Sequence, residues 1–281
     1  MNSFRRSVAF FASAALVAVY AVFFHTDAEP ASAVTPSPVV VIFMENHERS
    51  SIENSVDADY LKSFEANGTS FTHYNAVSHP SLPNYLGFAS GSTKGKAGTD
   101  AITAGEIAGA NIWSQAQSNA VSWGVYEESM PSACYAGVSS GDYRLRHNPA
   151  TPFANVFSKA KKCNKVVPYT SFNVDALPSI SFVTPNICND MHDCSIATGD
   201  NWLAANVPAM LNAGATVVIT FDEGSSGTGG GGNVYAAVDG PGIGSSVNTA
   251  TYSHYSLLAG LEARFGLAKL GGAKTATPLP I

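Results

Sequence analysis

Residues 39–47 read Val-Val-Val-Ile-Phe-Met-Glu-Asn-His: six apolar residues that run straight into a carboxylate, an amide and an imidazole. An unbroken apolar run, rich in β-branched side chains, is the pattern of a strand buried on both faces, and such strands belong to parallel sheets. A second run, Thr216 to Phe221 (TVVITF), leads into Asp222-Glu223-Gly224. A third, Ile180 to Thr184 (ISFVT), leads past Pro185 to Asn186, then Asp190, His192 and Asp193. In an open parallel sheet, ligands bind beyond the carboxyl ends of the strands. The three ends are therefore expected to bring their acids and an imidazole to one crevice.

Outward from these strands the pattern alternates. Helices are predicted over Val56 to Asn67, after Asn84, and over Glu106 to Asn119, Pro152 to Lys162, Asn201 to Asn212 and Tyr252 to Phe265. Gly68, Gly214 and Gly266 supply stop signals. Further strands are predicted at Val121 to Tyr126, Lys165 to Pro168 and Val234 to Val238. Strands alternating with helices predict one α/β domain with a mostly parallel sheet. The stretch Gly224 to Gly232 (GSSGTGGGG) lacks the spacing of a phosphate-cradling P-loop and reads as a mobile surface loop.

The chain has 281 residues, 45% of them hydrophobic and only 13% charged, with a formal net charge of −6. That is enough hydrocarbon for a large core and excludes charge-driven disorder. The negative balance argues against a nucleic-acid partner, and nothing in the sequence calls for a protein partner. An anionic substrate needs a local positive centre. Arg5 and Arg6 precede an apolar run from Val8 to Phe24, followed by Ala31-Ser32-Ala33. This is the grammar of a secretory signal cleaved after Ala33, an uncleaved membrane anchor being the alternative. Residues 1–33 are thus read as a signal peptide, 34–281 as a single domain, and the protein as secreted. Four cysteines in an exported chain point to disulfides. Of three pairings, Cys188–Cys194 with Cys134–Cys163 is favoured over the others and over a zinc site.

Gathering Glu45, Asp222 and Glu223 without a cation would cost several kcal/mol in repulsion and desolvation. A divalent metal removes that cost and supplies the positive centre; capping of helices by these acids is the plainer reading of each one alone. In Ser78-His79-Pro80-Ser81-Leu82-Pro83-Asn84-Tyr85, Ser81 stands at a predicted helix start. There the helix dipole eases formation of an alkoxide, although a serine in that place also serves as a cap. His79 is a candidate general acid. Arg144, Arg146 and His147 form a compact cationic group suited to phosphate, and His254 opens the last helix.

Taken together, VVVIFMENH, SHPSLPNYLGFASG, YRLRHNP, SFVTPNICNDMHDCSIATGDNWL, VVITFDEG and SHYSLLAGLEARFGL resemble the bacterial phosphoesterase family of secreted acid phosphatases and non-specific phospholipases C. The resemblance spans about Val39 to Leu267. It implies the three-layer α/β/α sandwich of the alkaline phosphatase superfamily. It also implies Ser81 as nucleophile, Asn84 as a substrate contact in the same motif, and Glu45, Asn46, Asp222 and Glu223 as metal ligands. Asp190, His192 and His254 resemble groups that bind phosphate or a second metal. This chain has His47 where members often have Arg. It has Asp222-Glu223 where two-zinc enzymes have an Asp-His pair, and Asn186 where they have an aspartate. One divalent ion is therefore expected, whether Ca²⁺, Mg²⁺, Mn²⁺, iron or Zn²⁺, with His192 and His254 contacting phosphate as imidazolium.

The activity these residues predict is acid hydrolysis of phosphate monoesters through a phosphoseryl intermediate, with His192 or His79 protonating the leaving alcohol. Small phosphorylated compounds or a phosphoinositide headgroup are the expected substrates. A phospholipase C-type diester hydrolase and a non-catalytic exported metal-binding protein are the competing readings.

Overall fold

The structure is a computed structural model and describes Met1 and residues 36–281. The predicted leader and its cleavage site lie outside the described residues. Among the described residues no helix is long and apolar enough to cross a membrane. The strands in chain order are β1 (Val39–Met44), β2 (Thr69–Asn75), β3 (Trp123–Glu127), β4 (Ser139–Ser140), β5 (Tyr143–Arg144), β6 (Val166–Pro168), β7 (Ile180–Thr184), β8 (Thr216–Phe221), β9 (Ala236–Asp239) and β10 (Ser246–Ser253). The helices are α1 (Arg49–Glu53), α2 (Asp59–Asn67), α3 (Ser81–Ser90), α4 (Ile112–Ser118), α5 (Ala154–Phe157), α6 (Ala160–Cys163), α7 (Ile196–Asn212) and α8 (His254–Arg264).

Eight strands form one sheet in the order β10-β2-β9-β8-β1-β7-β3-β6. Only β9 runs antiparallel to its neighbours; all other pairings are parallel. Helices flank the sheet, α2 packing with α7, and α3 with α4 and α8. Every residue of β1 and β8 is buried, as their unbroken apolar runs require. In their register Val39 faces Thr216 and Met44 faces Phe221. Both strands thus end level, and Glu45 and Asp222 emerge side by side.

Phe43 ties this centre to the helices. Its ring lies 5.0 Å from Phe182, 5.3 Å from Phe88, 5.4 Å from Tyr85 and 5.0 Å from the imidazole of His254. Burying one such aromatic contributes about 2 kcal/mol, and here the same packing fixes two polar side chains that reach the crevice.

The strands β1, β7 and β8 occupy their predicted ranges. The strands β2 and β10 were not expected. SVNTATYS is polar because β10 is an edge strand with mostly exposed side chains, and TSFTHYN, paired on both sides, buries only Phe71 and Tyr74 as large side chains. Tyr252 and Ser253 belong to β10, so α8 begins at His254, where Ser253 and Ser256 form a reciprocal capping box. The helix predicted from Glu106 begins only at Ile112, after Gly109 at φ +107° and with Asn111 capping Ser114 N. The one predicted over 152–162 is two short helices, α5 and α6. Conversely, α7 starts earlier than predicted, because the Ser195 hydroxyl accepts from Thr198 N. Gly68 ends α2 where a Cβ would fall 2.2 Å from the Val238 carbonyl oxygen. The disulfides are Cys134–Cys163 and Cys188–Cys194, and the second encloses Asp190 and His192.

Candidate active site

Glu45 is fully buried at the end of β1, and the site is built around its carboxylate. Ser81 Oγ donates to Glu45 Oε2 at 2.8 Å, and the Tyr85 hydroxyl donates to Oε1. Ser81 and Tyr85 are four residues apart on α3, so both point from one helix face to the same acid. Tyr85 also lies flat against His147, with ring centres 5.6 Å apart and 8° between planes. His147 Nε2 stands 3.4 Å from Glu45 Oε2, and its Nδ1 stands 3.3 Å from Asp190 Oδ2. Backbone hydrogen bonds lock the strand ends together: Glu45 N donates to Asp190 O (2.8 Å) and Asp222 N to Met44 O (2.9 Å). Asn46, at φ +56°, turns its N–H onto Asp222 Oδ1 at 3.0 Å; asparagine is among the few side chains that tolerate this left-handed backbone.

Three buried carboxyls thus converge. Burial raises the pKa of each, and the neighbouring acids add to it. Glu45 lies well above the usual carboxylate range, Asp190 is pushed up to about 8 and Asp222 to about 7. Asp190 Oδ2, Asp222 Oδ2 and Asn46 Oδ1 are buried without a hydrogen-bond partner among the described residues. Glu45, His147 and His192 offer ligand atoms that all lie within 4.8 Å of one another. Orphaned oxygens, elevated carboxyls and clustered imidazole nitrogens are a donor set that fits a divalent cation.

Most residues singled out from the sequence meet here, but several stand differently from expectation. His147 does not join the arginines as a cation. Burial first, then Arg146, holds its pKa well below the ordinary value, so it faces the acids as a neutral imidazole. His254 is fully buried, with Nε2 bonded to Asp222 O at 2.6 Å and Nδ1 to the Tyr74 hydroxyl at 3.1 Å. Burial lowers its pKa to about 4. It therefore holds the Asp222 backbone instead of offering an imidazolium to phosphate. Asn84 is spent on the preceding turn. Its Oδ1 accepts from Val77 N and Ser78 N, and its Nδ2 donates to Ser78 O and Pro80 O. Glu223 pairs with His79 Nδ1 and keeps Oε1 3.5 Å from Ser81 Oγ. Burial pulls the His79 pKa down, but the Ser226 carbonyl and Glu223 outweigh it and leave the value raised.

The glycine-rich loop is packed against the site. Gly231 lies so close to the Ser78 carbonyl that a Cβ would sit 2.3 Å from its oxygen. Glu48 Oε1 accepts from Ser225 N and Ser226 N, and Ser226 O bonds His79 Nε2 at 2.8 Å. Composition alone could not show that the run of small residues serves close approach. Sequence reading also passed over Tyr85 and Asp100. Asp100 Oδ1 accepts from Leu82 N at 2.9 Å, while its Oδ2 stands 3.5 Å from Arg146 Nε. Arg146 in turn has a terminal nitrogen 3.4 Å from His192 Nε2.

The fold is shared with solved members of the alkaline phosphatase class. A protein of the alkaline phosphatase superfamily from Vibrio parahaemolyticus superposes with a TM-score of 0.55 at 10% identity, over 86% of this chain and 70% of that one. The lipoteichoic acid synthase LtaP of Listeria monocytogenes gives 0.57 at 8% identity, over 86% and 76%. In sequence, the chain is 35% identical to the phosphatidylinositol-3-phosphatase of Mycobacterium tuberculosis, over 86% of its own length and 81% of that protein. It is 31% identical to the phosphate-repressible acid phosphatase of Penicillium chrysogenum, over 87% and 65%. Residues 43–268 match the model of the Phosphoesterase family. The chain belongs to that family, and it is a hydrolase of phosphate esters.

Proposed function

We propose that this protein is a secreted, metal-dependent acid phosphatase that hydrolyses phosphate monoesters through a phosphoseryl intermediate on Ser81. The observation that carries the reading is the hydrogen bond from Ser81 Oγ to a carboxylate inside a nest of buried acids. Glu45, Asp222, His147 and His192 are the residues that would hold the ion, with Asp190 beside them. When bound, the ion supplies Lewis-acid charge that stabilises the serine alkoxide and the phosphoryl oxygens.

The chain's own groups account for the remaining roles. Ser81 Oγ gives up its proton toward Glu45 or Glu223 and attacks phosphorus, forming the Oγ–P bond as the ester P–O bond breaks. His79, kept protonated by Glu223 and the Ser226 carbonyl and 40% exposed in its side chain, gives its proton to the departing alkoxide. Water then cleaves the phosphoserine: its hydroxyl goes to phosphorus as the Oγ–P bond breaks, its proton restores His79, and Ser81 regains its proton from the carboxyl that took it. Arg146 lies beside His192 and neutralises charge on the equatorial oxygens. Because His79 acts in its protonated form, activity falls as pH rises through its raised pKa, which gives an acid optimum. The names of the relatives support small phosphate esters, a phosphoinositide headgroup among them, as substrates.

Acid quenching during turnover of labelled substrate should trap phosphate on Ser81. Ser81→Ala should lose that label and roughly 10⁴-fold or more in kcat while keeping fold and bound metal. Turnover retained in Ser81→Ala would overturn the reading. Faster cleavage of bis(p-nitrophenyl) phosphate than of p-nitrophenyl phosphate would move it to a diester hydrolase.

A further inference from the structure

Beyond the Asp100–Arg146 pair lies an open depression of about 780 Å³. Its lining includes Lys96, Arg144 and Arg146 against Asp100 and Glu106. In a chain of net charge −6, this is a local excess of positive charge, and it shares a wall with the site. Asp100 holds the N–H of Leu82, the residue after Ser81, and Arg146 bridges toward His192.

The donors on the far side are only partly used. Lys96 Nζ donates to Ala101 O at 2.9 Å and to Glu106, leaving one of its three protons. Arg144 donates from one terminal nitrogen to Gly141 O (2.6 Å) and Tyr143 O (2.9 Å). Its other nitrogens have no hydrogen-bond partner among the described residues. Thr103 and Ser139 add polar groups, and Val138, 57% exposed, gives an apolar lip. A leaving group that extends from phosphorus toward this side would meet cationic donors that are only partly engaged.

We propose that this depression is a second anion subsite: the enzyme selects phosphate esters whose leaving group carries another anionic group, and Lys96 and Arg144 bind that group. The proposal rests on the phosphatase reading above and adds the class of substrate. The second anion can be a phosphate on a soluble sugar or the phosphodiester of a lipid headgroup.

The test compares kcat/KM for glucose 1,6-bisphosphate and glucose 6-phosphate. The wild-type enzyme should favour the bisphosphate by about tenfold, the size of one charge-assisted hydrogen bond. Lys96→Gln should erase most of that preference with glucose 6-phosphate turnover within about twofold of wild type, since a single charge already paired with Glu106 acts weakly on a distant phosphate. Glu106→Gln should enlarge the preference. The opposite signs keep the test informative even where one variant loses stability. Repeating the pair of variants on dibutanoyl phosphatidylinositol 3-phosphate separates the sources. A parallel loss there assigns the subsite to a lipid headgroup as well, and a loss with the sugar bisphosphate alone assigns it to soluble esters. An unchanged ratio in both variants would overturn the subsite while leaving the phosphatase reading intact. Absence of hydrolysis of any ester by the wild-type enzyme would overturn the phosphatase reading itself.

Discussion

Behind Ser81 lie Glu45, Asp190 and Asp222, buried and crowded, with Asp190 Oδ2 and Asp222 Oδ2 lacking a hydrogen-bond partner among the described residues. Beyond Asp100, on the other side, lie Lys96, Arg144 and Arg146, half-buried around an open depression and only partly engaged. The first region is costly without a cation, because low dielectric magnifies the repulsion of like charges. The second costs little, because water screens it. The difference teaches how an acidic protein handles an anion. In the proposed reading, the strong centre would be made by acids that attract an ion, and the weak, discriminating contacts would be left to half-buried bases.

Removing divalent ions with a chelator presses hardest on the buried side. Activity should fall about 10³-fold, the worth of several kcal/mol of Lewis-acid stabilisation, and return on adding the ion back. Full activity in metal-free buffer, checked by elemental analysis, would mean that the buried acids need no cation. His79→Gln comes next, at about 10²-fold on alkyl phosphates. Its loss should shrink on p-nitrophenyl phosphate, whose leaving group needs no proton, and the alkaline limb of the pH profile should flatten. Tyr85→Phe removes one hydrogen bond to a charged acid, about 1.5–3 kcal/mol, and should lower metal affinity and kcat roughly tenfold with little change in fold, as read by calorimetric metal titration and circular dichroism.

The smallest effect comes from a buried acid far from any such cluster. Glu262 is fully buried, with Oε1 accepting from Leu270 N at 2.9 Å and Oε2 unpartnered among the described residues. Burial raises its pKa to about 7 from an ordinary value of 4.5. The folded state therefore holds this proton more tightly than the unfolded one. The stability it contributes is full below pH 4.5 and lost as pH rises through about 7. Glu262→Gln should raise Tm at pH 8 by roughly 2–4 °C and leave it nearly unchanged at pH 4.5. The difference from the effect of chelation separates the cost of one buried carboxyl from that of a nest.

How much of this was legible in the sequence follows from what each residue does locally. The strands β1, β7 and β8 declare themselves because burial on both faces demands unbroken hydrocarbon, and the acids that follow stand out against it. Ser81 and His79 were visible for a similar reason, as polar groups at a proline-marked turn. Tyr85 was not, because a tyrosine within an apolar helix reads as packing; its spacing of four from Ser81 was the available signal. His147 was read with Arg144 and Arg146 because sequence shows proximity along the chain, whereas the stacking that turns it to Glu45 is tertiary. The strand β10 escaped because an edge strand does not need apolar faces, and its inner neighbour β2 escaped because only Phe71 and Tyr74 give it large buried hydrocarbon. The glycine-rich loop lies at the surface as expected, but its contacts with the site were hidden because its composition is the same whether the glycines give freedom or permit contact.

The level ending of β1 and β8 has a further meaning for the tolerance of this chain to insertions. A one-residue slip exchanges the faces that every side chain of a strand presents. A single residue added between Met44 and Glu45 would turn that carboxylate to the opposite face of the sheet. Length at this junction is thus constrained by the chemistry of the crevice as well as by the packing of Phe43.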